Sequence, residues 1–207
     1  MFVLAHLSDP HLAPLPTPRF SELASKRLLG FLNWQRKRRD IHNSEVLERT
    51  IADIRAQAPD HIAVAGDLVN ISLPEEYIAA RRWLTALGPA SDVTLVPGNH
   101  DAYVRRMESE PAAHWGGYMC GDDVAECAFP FVRRRGPLAI VGLSTAVAAP
   151  PFRATGKLGK SQVERLSETL NGLASEVAFR VVMLHHPPES DPHRKSERLL
   201  DGSEFVA

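Results

Sequence analysis

Cysteine is scarce in this chain: among 207 residues there are only two, Cys120 and Cys127. Neither sits in a metal or redox motif, which excludes a disulfide-built scaffold and makes a reduced cytoplasmic pair the expectation. A surplus of charge of one sign is missing too, with 24 Lys and Arg against 25 Asp and Glu. A balance near zero gives no overall field to gather nucleic acid or a membrane surface, so neither is an expected partner. No apolar run approaches the roughly 18 residues of a membrane span. Met1 leads straight into an apolar strand, without the basic start and apolar core of a signal peptide, and a cytoplasmic location is expected. Repeats, low-complexity tracts and linkers are absent as well. Residues 1–207 therefore read as one domain of ordinary size, with 44% hydrophobic residues to build its core.

What the chain does have is a rhythm of apolar runs and helical patterns. β-type runs lie at residues 2–7, 61–65, 93–96 and 179–184, which argues for α/β architecture with largely parallel strands. A Pro-rich loop with Pro14, Pro16 and Pro18 precedes a helix predicted over 21–38, carrying Leu23, Leu28, Phe31 and Leu32 on one side. A second helix starts at an Asn43 or Ser44 cap and carries Val46, Leu47, Ile51 and Ile54. Pro74-Glu75-Glu76 opens a third, which stops at Gly88-Pro89. Further helices are expected over 103–115 and 160–173, with a weak helical start over 196–206. A hairpin is expected about Gly136-Pro137.

Each of the four apolar runs ends in a short polar cluster. These are Asp9-Pro10-His11, Gly66-Asp67-Leu68-Val69-Asn70, Gly98-Asn99-His100-Asp101 and His185-His186-Pro187-Pro188. Strands lying side by side and pointing the same way would deliver all four to one sheet edge, where open α/β sheets bind ligands. Carboxylates, an amide oxygen and imidazoles meeting there form the donor set of a hydrolytic metal centre. Asp101 beside His100 would orient that imidazole and favour its protonated form. Taken singly, each cluster has a plain structural explanation: Asp67 as a cap, Asn99 as a turn residue, His185 as a core histidine. Their joint recurrence at strand ends is what points to a site. Of the other histidines, only His114 and His193 are candidates for substrate contact. The basic runs Arg36–Arg39 and Arg133–Arg135 read as solvated surface, or as a rim that draws in an anionic substrate.

On these motifs the chain resembles the calcineurin-like metallophosphoesterase superfamily, in its branch of bacterial phosphodiesterases related to class III cyclic nucleotide phosphodiesterases. The resemblance runs over His-Leu-Ser-Asp-Pro-His-Leu, Gly-Asp-Leu-Val-Asn, Pro-Gly-Asn-His-Asp and His-His-Pro-Pro. It implies a sandwich of two mixed β-sheets flanked by helices. It also implies two metal ions (manganese, iron or zinc). Asp9, His11 and Asp67 would hold the first, and Asp67, Asn99 and His185 the second. His100 would contact phosphate and assist the leaving group with Asp101 as its partner. His186 and Asn70 would lie just behind the ligands. The implied reaction is in-line hydrolysis by a metal-bridging hydroxide, with a small phosphodiester or phosphomonoester as substrate, a cyclic nucleotide among the candidates. Two divalent ions, two carboxylates and one hydroxide leave a single positive charge, which suits a monoanionic diester. The family's final Gly-His-x-His has no counterpart before Ala207. A domain incomplete at its C-terminus, lacking the last strands and two histidine ligands, is the expectation. The alternative to an enzyme is a related scaffold that binds a partner or nucleotide without turnover.

Overall fold

The computed structural model describes residues 1–122, 127–176, 179–189 and 195–206. Three parallel strands form the first sheet in the order β1 (Leu4–Leu7), β2 (His61–Val64) and β3 (Val93–Leu95). β2 is buried along its whole length, as a central parallel strand covered on both faces must be. Between β1 and β2 lie the short helices α1 (Phe20–Leu23), α2 (Arg27–Asn33) and α3 (Arg39–Ile41), then α4 (Ser44–Ala56). A π-helical turn, Trp34–Arg38, joins α2 to α3, so the single helix expected over 21–38 is broken. Asn43 caps α4, its side chain accepting from the Glu45 amide at 2.9 Å. α5 (Pro74–Leu87) joins β2 to β3 and begins at the expected proline.

The helix expected over 103–115 is shorter, with only α6 (Glu110–Trp115) regular beyond a 3-10 turn. β4 (Phe131–Arg135) and β5 (Leu138–Gly142) form the expected hairpin, with Arg135 opposite Leu138. α7 (Lys160–Gly172) then crosses to β6 (Phe179–Met183), which pairs parallel to β5 and completes a mixed second sheet. α8 (Gly202–Val206) closes the described chain. The class is the expected one: two sheets flanked by helices. Three of the four clusters end strands of the first sheet, whereas His185 arrives from the second.

One core lies between the sheets. Ile51 of α4 and Tyr77, Ala80 and Leu84 of α5 cluster with Val64 and Leu95, and Phe131, Ile140 and Met183 join them from the second sheet. Ala139 and Val141 point the other way along β5 and pack with Leu166 and Leu173. A third cluster of Leu15, Ile71 and Leu73 seats Phe31 and Trp34 of the inserted helices. Leu28 and Leu32 are turned outward instead, because Arg27 occupies the inner face and donates to the Ile71 and Ser72 carbonyls. Cys120 and Cys127 are joined in a disulfide, where a reduced pair was expected. The turn at Gly116 and the entry to β4 bring their Cα atoms to 4.5 Å. No helix among the described residues is long and apolar enough to cross a membrane.

Candidate metal centre

The loops leaving β1 and β2 are zipped together by backbone bonds. Asp9 donates to the Gly66 carbonyl at 3.1 Å, His11 to that of Asp67 at 3.0 Å, and Leu12 to that of Leu68 at 2.9 Å. Asp9, His11 and Asp67 all adopt positive φ, at 55°, 38° and 56°. That region costs a side-chain-bearing residue about 1 kcal/mol or more, so three neighbouring cases signal a geometry imposed for function. Glycine is required on both sides of the crossing. A Cβ on Gly66 would collide with the Gly98 backbone, and one on Gly98 would strike the Asp67 carboxylate.

Two buried carboxylates hold the loop after β2. Asp101 accepts from the amides of Asp67 (2.8 Å), Leu68 (2.9 Å), Val69 (3.2 Å) and Gly98 (2.8 Å). Glu76 accepts from Asn70 (2.6 Å), Ile71 (3.1 Å) and Leu73 (2.8 Å). Asp101 therefore faces backbone and not the His100 ring, contrary to the pairing read from the sequence. Burial, with Asp67 adding to it, pushes the Asp101 carboxyl up to about 7.

The candidate ligands converge on one atom. Asp67 Oδ2 lies 3.7 Å from His11 Nε2 and 3.5 Å from His185 Nε2, and Asp9 Oδ1 is 3.8 Å from His11 Nε2. Ligand atoms of Asp9, Asp67 and His185 fall within 4.8 Å of one another, as do those of His11, Asp67 and His100. Each ligand histidine has its Nδ1 on a backbone carbonyl, His11 on Val69 at 3.1 Å and His185 on Ala65 at 2.6 Å. An Nδ1–H donated there leaves the Nε2 lone pair facing a carboxylate oxygen. Lone pairs aimed at each other are repulsive unless a cation sits between them. Bonds of about 2.1 Å meeting at near-tetrahedral angles put ligand atoms roughly 3.5 Å apart, so the residues present fit a metal. Burial drives the Asp67 carboxyl well above its usual range and His11 well below. A bound cation relieves both costs. Asn99 is buried and lines the same hollow of about 270 Å³.

His100 stands at the edge of this cluster. Its Nδ1 meets the Asn70 carbonyl, and Arg38 Nη1 donates to its Nε2 at 3.0 Å. Burial, then Arg38, lowers the ring to about 3, so it is neutral here where a protonated form was expected. Asn70 also donates from Nδ2 to the Leu12 carbonyl at 2.9 Å, tying the two loops again. His186 has both ring nitrogens taken, by Thr145 Oγ1 at 2.7 Å and the Ala154 carbonyl at 2.9 Å, whereas His185 commits only Nδ1 and turns Nε2 to the cluster. His114 stacks on Tyr77 and reaches Glu110, away from the cluster, and His193 lies outside the described residues.

The two basic runs separate in role. Arg133 is buried among backbone carbonyls, Arg134 pairs with Glu176 and Arg135 with Asp122, so that run is structural. Arg38, from the other run, reaches the site. The sequence offers the whole run Arg36–Arg39 as solvated surface or a rim for an anionic substrate; it does not single out His42, whose ring centroid lies 4.5 Å from that of His11. A second cavity of about 330 Å³ adjoins the first, sharing Arg38, Asn99 and His100, and Lys26, Tyr103 and Arg153 line it further out.

The fold and the cluster define a two-sheet α/β protein with a carboxylate-centred candidate metal site at its strand ends. The sequence profile of the calcineurin-like phosphoesterases matches residues 2–205, and the chain belongs to that family. It is 34% identical over 99 residues to the glycerophosphodiester phosphodiesterase GpdQ of Enterobacter lignolyticus, covering 48% of this chain and 29% of that protein. It is 28% identical over 159 residues to a probable cyclic nucleotide phosphodiesterase of a Synechococcus species, covering 74% of this chain and 53% of that protein. The chain thus spans between about a third and a half of the length of these curated relatives.

Proposed function

We propose that this chain is the catalytic part of a phosphodiesterase that works with two metal ions (manganese, iron or zinc) on a small phosphodiester. The observation that carries the reading is the approach of two Nε2 lone pairs to Asp67 Oδ2 at 3.5 and 3.7 Å, with both Nδ1 positions fixed by carbonyls. Asp9, His11 and Asp67 would hold one ion, and Asp67, Asn99 and His185 the other. Bound there, such ions supply a hydroxide nucleophile at neutral pH and offset the charge of the diester.

The protein's own groups do the rest. Arg38 presents a permanent positive charge at the cavity wall, aimed at the position next to His100 where phosphoryl oxygens would lie. His100, anchored by the Asn70 carbonyl, is neutral and accepts from Arg38 at Nε2. It would donate to a substrate oxygen only after taking up a proton as Arg38 moves to the diester. Asp101 acts through the loop, holding Asp67 in its left-handed conformation. Phosphodiesterase naming in both relatives supports a diester, and the name of the Synechococcus relative extends the candidates to cyclic nucleotides. The same reading puts the protein in the cytoplasm.

The test is calorimetric titration of the 207-residue chain with manganese, paired with hydrolysis of bis(p-nitrophenyl) phosphate. Hydrolysis is measured on this chain and on one extended by a C-terminal segment that carries Gly-His-x-His. Two bound ions and metal-dependent turnover are expected. Metal binding without turnover in either chain would leave a binding scaffold in place of an enzyme.

A further inference from the structure

The segment between β1 and α4 has a composition the rest of the chain does not share. From Arg19 to Ile41 it holds seven Lys and Arg against two acidic residues, in a chain whose net charge is −1. Its inner face is fixed by Arg27, Phe31 and Trp34. Its exposed side chains include both apolar and basic ones. Phe20 is 97% exposed and Ile41 70%, Leu28, Leu29 and Leu32 are also open to solvent, and exposed Arg36, Lys37 and Arg39 follow on the same helical run. Side chains of this size are normally covered, and several together on one short segment mark an interaction surface.

The cavity beside the metal cluster is lined from this segment by Lys26, Leu29, Gly30, Asn33, Trp34 and Arg38. Leu29 lines it from α2 and Phe152, 87% exposed, from the loop before α7, while Lys26, Arg38 and Arg153 line its walls. Lys26 lies 4.0 Å over the Tyr103 ring and donates to the Ala149 carbonyl, which ties that loop to α2. Apolar residues at the mouth and cations within match a molecule that is apolar at one end and anionic at the other. Leucine and phenylalanine beside clustered arginines are also what a helix needs to lie in the headgroup layer of an anionic membrane.

We propose that the segment Phe20–Ile41 docks this protein on an anionic lipid surface and that the site acts on the phosphodiester of an amphiphile, whose headgroup fills the cavity below Leu29 and Phe152. Lying on a surface differs from crossing it, so the lack of a spanning helix among the described residues is no obstacle. The near-zero total charge, which gave no expectation of a membrane, conceals a local excess. The substrate class rests on the phosphodiesterase reading; the docking does not.

The experiment is co-sedimentation of the 207-residue chain with vesicles of phosphatidylcholine alone and of phosphatidylcholine mixed with phosphatidylglycerol. Sedimentation with the mixed vesicles is expected, roughly tenfold stronger than with the neutral ones. Leu28→Gln with Leu32→Gln should weaken it about tenfold at low and high salt alike, and Arg36→Gln with Arg39→Gln should weaken it at low salt only. None of these four side chains lines the metal hollow, and circular dichroism checks that each variant folds. A chain that stays in the supernatant with both vesicles overturns the docking. So does a leucine variant that sediments like the wild type, since charge alone would then hold any polyanion. Hydrolysis separates the two proposals. Turnover of bis(p-nitrophenyl) phosphate without turnover of a lysophospholipid diester removes the amphiphile and leaves the phosphodiesterase. Turnover of neither removes both, and sedimentation alone then judges the docking.

Discussion

The Nδ1 of His185 lies 2.6 Å from the carbonyl oxygen of Ala65, so a side chain carried by the second sheet is bonded to the end of the central strand of the first. The candidate metal site is therefore an inter-sheet feature, and its geometry depends on how the two sheets pack over their shared core. The same bond leaves His185 Nε2 pointing at Asp67, the residue on which both ligand groups converge.

Asp67→Asn should weaken manganese binding about 100-fold or more and abolish the second bound ion. The amide keeps an oxygen to accept from the His100 amide, which now bonds Asp67 Oδ1 at 2.7 Å, so the loop survives while the negative charge is lost. Calorimetric titration of wild type and variant measures the change. Unchanged stoichiometry and affinity would show that the metal is held elsewhere.

Asp101→Ala should lower unfolding free energy by about 3 kcal/mol or more, because four buried amides lose their acceptor together. Asp101→Asn restores an acceptor oxygen but adds an NH2 facing donors, and should fall between. Urea midpoints give the stability. Metal titration of the folded variants should show weaker binding as Asp67 loses its fixed conformation. A loss of metal with no loss of stability would make Asp101 a ligand in place of an anchor.

Much of this site is legible in the sequence, for a local reason. A parallel strand ends where its apolar run ends, and Gly66, Gly98, Asp9 and His11 sit within a few residues of those ends, so adjacent strands bring them together without further information. What escapes the sequence depends on distant packing. Arg38 meets His100 across 62 positions, through helices whose inner face is set by a buried arginine that hydrophobic patterning would put outside. That choice by Arg27 also turns Leu28 and Leu32 into solvent. Asp101 beside His100 reads as a side-chain pair, yet four converging amides make a stronger claim on the carboxylate than one imidazole. The Cys120–Cys127 pairing is hidden because it rests on the turn at Gly116, which no motif announces.

Arg38→Gln should raise KM for a phosphodiester about tenfold or more while leaving bound manganese unchanged, since Arg38 faces His100 and not the Asp67 oxygens. Steady-state kinetics on bis(p-nitrophenyl) phosphate, with metal content measured in parallel, separates the two effects. His100→Asn should likewise retain metal but slow kcat roughly 100-fold, the scale of a lost proton-transfer group. An arginine that only props His100 would lower kcat in both variants without moving KM. An arginine that grips the diester moves KM first.

His61 should make stability fall with acid, well away from the metal cradle. It begins β2, its Nε2 bonds Thr94 Oγ1 at 2.7 Å, and its Nδ1 is buried without a partner. Burial, with Arg135 and Arg133 adding to it, holds the ring down at about 4, below the ordinary value near 6.5. The folded protein thus refuses a proton that the unfolded chain accepts. Above pH 6.5 neither state is protonated and the contribution is whole; as pH drops toward 4 the unfolded state gains and stability is lost. The loss between pH 7 and pH 5 should be about 2 kcal/mol. Urea midpoints of wild type and His61→Gln at both pH values isolate it, because every other titrating group is common to the pair. The variant should lose less stability than the wild type over that interval. Equal losses would mean that the folded protein lets His61 protonate by opening the β2 end to water.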